Sequence, residues 1–114
     1  MIWVKHYQDL LINCSMDLDQ FSILSDLSAL IKQRQHDAPE RSYTAKLLHE
    51  GVDRIAKKIG EEAGEVIIAA KNQDSTELCN EAADLLYHLM ILLENQHLDL
   101  RDVCKVLSDR RHKA

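Results

Sequence analysis

Lys57-Lys58-Ile59-Gly60-Glu61-Glu62-Ala63-Gly64-Glu65-Val66-Ile67 and, beyond a break at Asn72-Gln73-Asp74, Glu81-Ala82-Ala83-Asp84-Leu85-Leu86-Tyr87-His88-Leu89 are the stretches whose reading decides the fold. In the first, Ile55, Ile59, Ala63, Val66-Ile67 and Ala70 recur at three- and four-residue steps, the period of one face of an α-helix. Asp53 is expected to cap this helix, which should run to about Asn72. Gly60 and Gly64 inside it each cost about 1 kcal/mol relative to Ala, which calls for a reason such as close helix packing. In the second stretch Asp74 and Glu77 have capping-box spacing and open a helix carrying Leu78, Ala82, Leu85-Leu86, Leu89 and Leu92-Leu93 to about Gln96. Two long helices on so short a connector are expected to pack antiparallel.

Upstream, Phe21, Leu24, Leu27 and Leu30-Ile31 predict a helix after the cap candidate Asp19, ending near Gln35. Residues 36–41 read as an exposed connector, and Ser42 can cap a short helix with Tyr43, Leu47 and Leu48 that stops at Gly51. Downstream, Asp99 and Asp102 suit the first turn of a last helix that ends on Arg110, Arg111 and Lys113. Trp3, Tyr7, Leu10 and Leu11 have helical spacing, but Asn13-Cys14-Ser15 interrupts it. Residues 1–20 are therefore an N-terminal lead of unassigned role, and residues 21–114 form one domain. With Gly and Pro at 3 and 1 of 114 residues, against an average near 12% for the two together, the reading is all-α, a bundle of about four to five helices.

Nineteen acidic against fourteen basic residues give a net charge of −5, which argues against a nucleic-acid binder with a broad phosphate-neutralising face. Any anionic ligand needs a metal or a local basic cluster. The longest apolar run, Leu85 to Leu93, is far short of the ~20 residues of a bilayer span, and Met1-Ile2-Trp3-Val4-Lys5-His6 has no signal-peptide layout. A cytoplasmic protein with no membrane or nucleic-acid partner is expected.

Chemistry concentrates in two i, i+3 acidic doublets, Glu62/Glu65 and Glu81/Asp84. Each doublet faces one way on its helix, with Cβ atoms about 5–6 Å apart. Four carboxylates on facing helices suit a hard divalent cation such as Mg²⁺. A di-iron bundle would need Glu-x-x-His on two helices, which neither doublet supplies. Glu61 and His88 extend the seam as candidate groups around the metal ligands. Lys57, Lys58, Lys71 and Asn72 bracket the acids and could hold phosphate oxygens, and Arg34, Arg41, Ser42 and Tyr43 add donors near the connector for a phosphate or ribose. The bland reading is a solvated helix surface with Lys58 pairing Glu62 at i, i+4.

Arg41-Ser42-Tyr43-Thr44-Ala45-Lys46-Leu47, the Lys57–Val66 stretch with Ala69-Ala70-Lys71-Asn72, and Glu81–Leu89 together resemble the phosphoribosyl-ATP pyrophosphohydrolase family of histidine biosynthesis, within the all-α, MazG-type nucleotide pyrophosphohydrolases. The resemblance covers roughly residues 22–111. It implies Mg²⁺-dependent hydrolysis of 1-(5-phosphoribosyl)-ATP between its α and β phosphates, with Glu62, Glu65, Glu81 and Asp84 as metal ligands, Glu61 as the acid beside them, and Lys57 and Lys58 near phosphate. Either Glu62 or Glu65 serves as the base. It also implies a homodimer whose helices complete a larger bundle. The 20 preceding residues are too few for the ring-opening cyclohydrolase fused ahead of this domain in many organisms. Two alternatives fit the residues alone: a housecleaning nucleoside triphosphate pyrophosphohydrolase, and a non-enzymatic helical dimerisation module.

Overall fold

The structure, a computed structural model, describes residues 17–113, so the helical spacing of Trp3, Tyr7, Leu10 and Leu11 lies outside the described residues. Those described form five α-helices and no strand: α1 (Ser22–Arg34), α2 (Tyr43–Glu50), α3 (Val52–Lys71), α4 (Ser75–Asn95) and α5 (Leu100–Arg110). The all-α reading is the architecture found. Short 3₁₀ turns occupy Asp17–Phe21, Pro39–Arg41 and Arg111–Lys113, so the expected open connector before Ser42 is partly coiled.

Local chemistry sets most boundaries as expected. Ser42 is extended and its Oγ accepts the Ala45 N–H at 3.2 Å, opening α2. Asp74 Oδ1 accepts the Glu77 N–H at 3.0 Å, opening α4. The reciprocal capping box forms at α5, where Asp102 Oδ2 returns to the Asp99 N–H at 2.9 Å. Two expected caps are corrected. Asp19 does not cap α1, because the chain arrives already coiled: Phe21 has helical dihedrals, and Ser22 Oγ donates to the Asp19 carbonyl at 2.7 Å. Asp53 lies inside the first turn of α3, because Gly51 ends α2 and begins α3 in one residue. Gly51 has φ +96°, a conformation that strains any side chain with a Cβ.

Helices α3 and α4, joined by Asn72-Gln73-Asp74 with Gln73 at φ 56°, pair along their length as a hairpin. Helices α1 and α2 cover one end of it, and there the core forms from Ile31, Leu47, Ile55, Met90 and Ile91, flanked by Leu24, Leu27, Leu48, Ile59, Tyr87, Leu92 and Leu100. Among the described residues the other end is left uncovered. Ile67 and Ile68 on α3 and Leu86 and Leu89 on α4 are exposed, and nothing lies within 4 Å of where a Cβ on Gly60 or Gly64 would stand. The close packing expected at these glycines is thus not made among the described residues. The radius of gyration, 16.3 Å, exceeds the roughly 13 Å of a compact domain this long. No helix of the described residues is long and apolar enough to cross a membrane.

Candidate metal and nucleotide site

The hairpin brings together carboxylates that the sequence holds far apart. Glu62 on α3 and Glu81 and Asp84 on α4 each offer an oxygen, and these lie within 4.8 Å of one another. Glu62 is buried, Glu81 half-buried and Asp84 exposed, so the group opens outward on the Asp84 side. Glu62 Oε2 and Glu81 Oε2 are shut off from solvent without a hydrogen-bond partner. A shielded carboxylate oxygen without a donor is costly, and a bound hard cation removes that cost by taking the lone pair. The donor set, all oxygen, fits such an ion.

Without a cation the cluster relieves itself by holding a proton. Interaction with the neighbouring carboxyls of Glu65 and then Glu77, together with desolvation and the nearby Glu62, pushes Glu81 up to about 8. Because the folded chain holds this proton more tightly than the unfolded chain, the stabilisation is complete below the ordinary glutamate value of about 4.3. It is lost as pH rises through about 8. In chelator, the melting temperature should therefore fall as pH is raised across that window, and a divalent cation should reverse the fall with proton release. Thermal melts across pH check this, and a flat metal-free profile would contradict it.

The other expected residues are distributed around this trio. Glu65 stands outside it, beside Glu81, and with Ile68, Ala69, Asn72, Asp74 and Glu77 lines a small recess of about 150 Å³. Lys58 Nζ lies 3.4 Å from Glu61 Oε2 and 3.7 Å from Glu62 Oε1, so the i, i+4 pairing is present and places a cation at the trio's edge. Glu61 itself is exposed, as are Lys57 and Lys71; Asn72 caps the end of α3. His88 is buried, but its ring bonds the main-chain carbonyl of Asp84, at 2.7 Å, rather than a carboxylate. Arg34 is engaged elsewhere, 3.0 Å from Asp37.

Arg41, Ser42 and Tyr43 line an open cleft of about 690 Å³ with Lys46, His49 and Glu50. Tyr43 lines this cleft and bonds through its hydroxyl to His88 at 2.8 Å. Burial raises its phenol's pKa, while Lys58 and Arg54 pull it down and Tyr87 and Glu62 act on it more weakly. Lys46, quoted in the sequence only as part of a longer run, and Glu50, not singled out there, fall three and seven residues after Tyr43 on one helical face. Thr44, one of the donors expected in the Ser42-Tyr43-Thr44 run, instead hydrogen-bonds through its hydroxyl to Tyr87, a pairing the sequence does not announce because nothing local links residues on separate helices.

An all-helical domain in which three carboxylates converge, with a separate cleft lined by Glu40, Arg41, Ser42, Tyr43, Lys46 and Glu50, carries an oxygen donor set that suits a hard cation. The phosphoribosyl-ATP pyrophosphohydrolase family model matches residues 24–111, and the chain belongs to this family. It is 52% identical over 89 residues to a phosphoribosyl-ATP pyrophosphatase of Leptospira biflexa, covering 78% of this chain and 96% of that protein. Against a phosphoribosyl-ATP pyrophosphatase of Clostridium botulinum it is 42% identical over 96 residues, 84% of this chain and 87% of the relative. A histidine biosynthesis bifunctional protein HisIE of Bacillus subtilis is 58% identical over 92 residues, 81% of this chain; the match spans only 44% of that longer protein.

Proposed function

We propose that the chain hydrolyses 1-(5-phosphoribosyl)-ATP to 1-(5-phosphoribosyl)-AMP and pyrophosphate, with Mg²⁺ held by Glu62, Glu81 and Asp84 and with Glu65 beside them, as a cytoplasmic homodimer in histidine biosynthesis. The observation that carries this reading is the trio converging within 4.8 Å in a chain of this family. Bound there, Mg²⁺ would offset phosphate charge and act as a Lewis acid. Lys58, at the edge of the trio, is placed to take a phosphate oxygen, and Arg41 and Lys46 supply positive charge across the cleft. A triphosphate anhydride is thermodynamically ready to break, so the chain's work is to neutralise charge and align a water. Glu65, outside the trio, is free to accept that water's proton. The elongated shape and the exposed Ile67, Ile68, Leu86 and Leu89 support a second copy completing the bundle.

The deciding experiment measures pyrophosphate release from 1-(5-phosphoribosyl)-ATP with and without Mg²⁺, beside a panel of ordinary nucleoside triphosphates. Mg²⁺-dependent release from the adduct alone is expected. Release only from the panel moves the protein to housecleaning hydrolysis, and silence on every substrate favours a non-enzymatic helical module.

A further inference from the structure

We propose that His88 fixes Tyr43 as a hydrogen-bond acceptor that reads a donor group on the nucleoside part of the ligand, a sugar hydroxyl or an exocyclic amino group, and not a phosphate oxygen. The inference rests on the proposed function for the ligand's identity and adds a recognition element to that site. Its basis is a chain of hydrogen bonds with one direction. His88 Nδ1 lies 2.7 Å from the Asp84 main-chain oxygen. A carbonyl has no proton to give, so Nδ1 carries the hydrogen. With its one hydrogen on Nδ1, the imidazole serves both partners and keeps its lone pair on Nε2. Tyr43 Oη lies 2.8 Å from that nitrogen, so the phenol donates its only proton to His88.

The rings around it hold this arrangement. Tyr43 lies nearly parallel to Tyr87, at 6.5 Å and 19°, with the His88 ring edge-on to both. Tyr87 is in turn tied to Thr44 by its hydroxyl. His88 is only 5% exposed, whereas Tyr43 is 48% exposed and lines the cleft. With its proton given to His88, the Tyr43 hydroxyl has only lone pairs left to offer a ligand. A phosphate oxygen would meet them lone pair to lone pair, while Arg41 and Lys46 in the same cleft suit phosphate. A hydroxyl or amino hydrogen is the complementary partner.

Two measurements test this. The first needs no ligand: ¹⁵N NMR of the His88 ring in the full chain should show the proton on Nδ1 and an unprotonated, hydrogen-bonded Nε2. A proton on Nε2 overturns the inference. The second compares steady-state kinetics on the adduct with analogues lacking, one at a time, a sugar hydroxyl or the exocyclic amino group. Tyr43→Phe should raise KM for the adduct about tenfold, one hydrogen bond's worth, leave kcat within about twofold, and cost nothing extra on the analogue that lacks the donor. That analogue tells the sugar from the base. His88→Leu should reproduce the KM loss, and His88→Gln, which can place an amide oxygen near Nε2, should restore part of it. An equal Tyr43→Phe penalty on every analogue, or a loss confined to kcat, overturns the inference. Should the wild-type chain turn over only ordinary triphosphates, the adduct reading fails, and the same series on that triphosphate decides the role of Tyr43. Should it turn over nothing, the spectrum decides.

Discussion

Glu81→Gln is expected to abolish Mg²⁺-dependent pyrophosphate release, by at least about 10²–10³-fold, while leaving the metal-free protein as stable as the wild type at low pH and more stable near pH 8. The two effects have one origin. Glu81 sits where Glu65, Glu77 and Glu62 crowd it, and it holds a proton in their midst. Gln is the neutral isostere of that protonated form, so it keeps the fold without the repulsion that ionisation brings. As a cation ligand it lacks the charge that a hard ion selects. Asp84→Asn, on the exposed side of the same trio, should lose activity comparably with a smaller change in stability. Initial rates across Mg²⁺ concentrations and melting curves in chelator at two pH values check both variants. Full turnover in Glu81→Gln would remove the trio from the reaction. Loss of helicity would mean that the cluster serves folding instead.

Ile55→Ala and Ile91→Ala should each destabilise the protein by roughly 2–5 kcal/mol. Both side chains are fully buried, at 0% exposure, in the single cluster where α1 and α2 close over the hairpin, so truncation leaves a cavity that neighbouring helices can fill only in part. For a domain of about this size each kcal/mol moves the melting temperature by about 4–8 °C, so the loss is large and easily read by calorimetry. Ile67→Ala is the informative contrast. Ile67 is 62% exposed, and in an isolated chain its truncation should stay within about 0.5 kcal/mol. In a homodimer that covers the bare end of the hairpin, the same change should lower the melting temperature and make it concentration-dependent. An effect of Ile55→Ala as small as that of an exposed Ile would contradict the placement of the core.

Much of this was legible in the sequence because helix signals are local. Ser42 and Asp74 announce their helices through hydroxyl and carboxylate acceptors placed three residues before the amides they bind. The i, i+3 spacing of each acidic doublet fixes which way its members face before any tertiary contact exists. Asp19 and Asp53 misled for a related reason: a capping residue is recognised by type, yet what stands at a helix start is decided by backbone dihedrals, and Phe21 and Gly51 took those positions. The expected core was only partly right. Ile55 is buried, whereas Ile67, Leu86 and Leu89 are exposed on the same two helices, because periodicity reports which face is apolar and not how far along it a neighbour reaches.

By itself, then, the sequence determined the all-helical class, the helix order, the family and the pairing of acids within each helix, all of which follow from side chains a few residues apart. Only the tertiary structure decided which carboxylates meet. It set Glu62 with Glu81 and Asp84 and left Glu65 beside them, since the rotation and stagger of α3 against α4 are fixed by packing and not by spacing. It likewise decided that His88 turns its Nε2 to Tyr43, 45 positions away in the chain, and not to a carboxylate of its own helix, because a buried ring must satisfy both nitrogens with whatever the fold brings near.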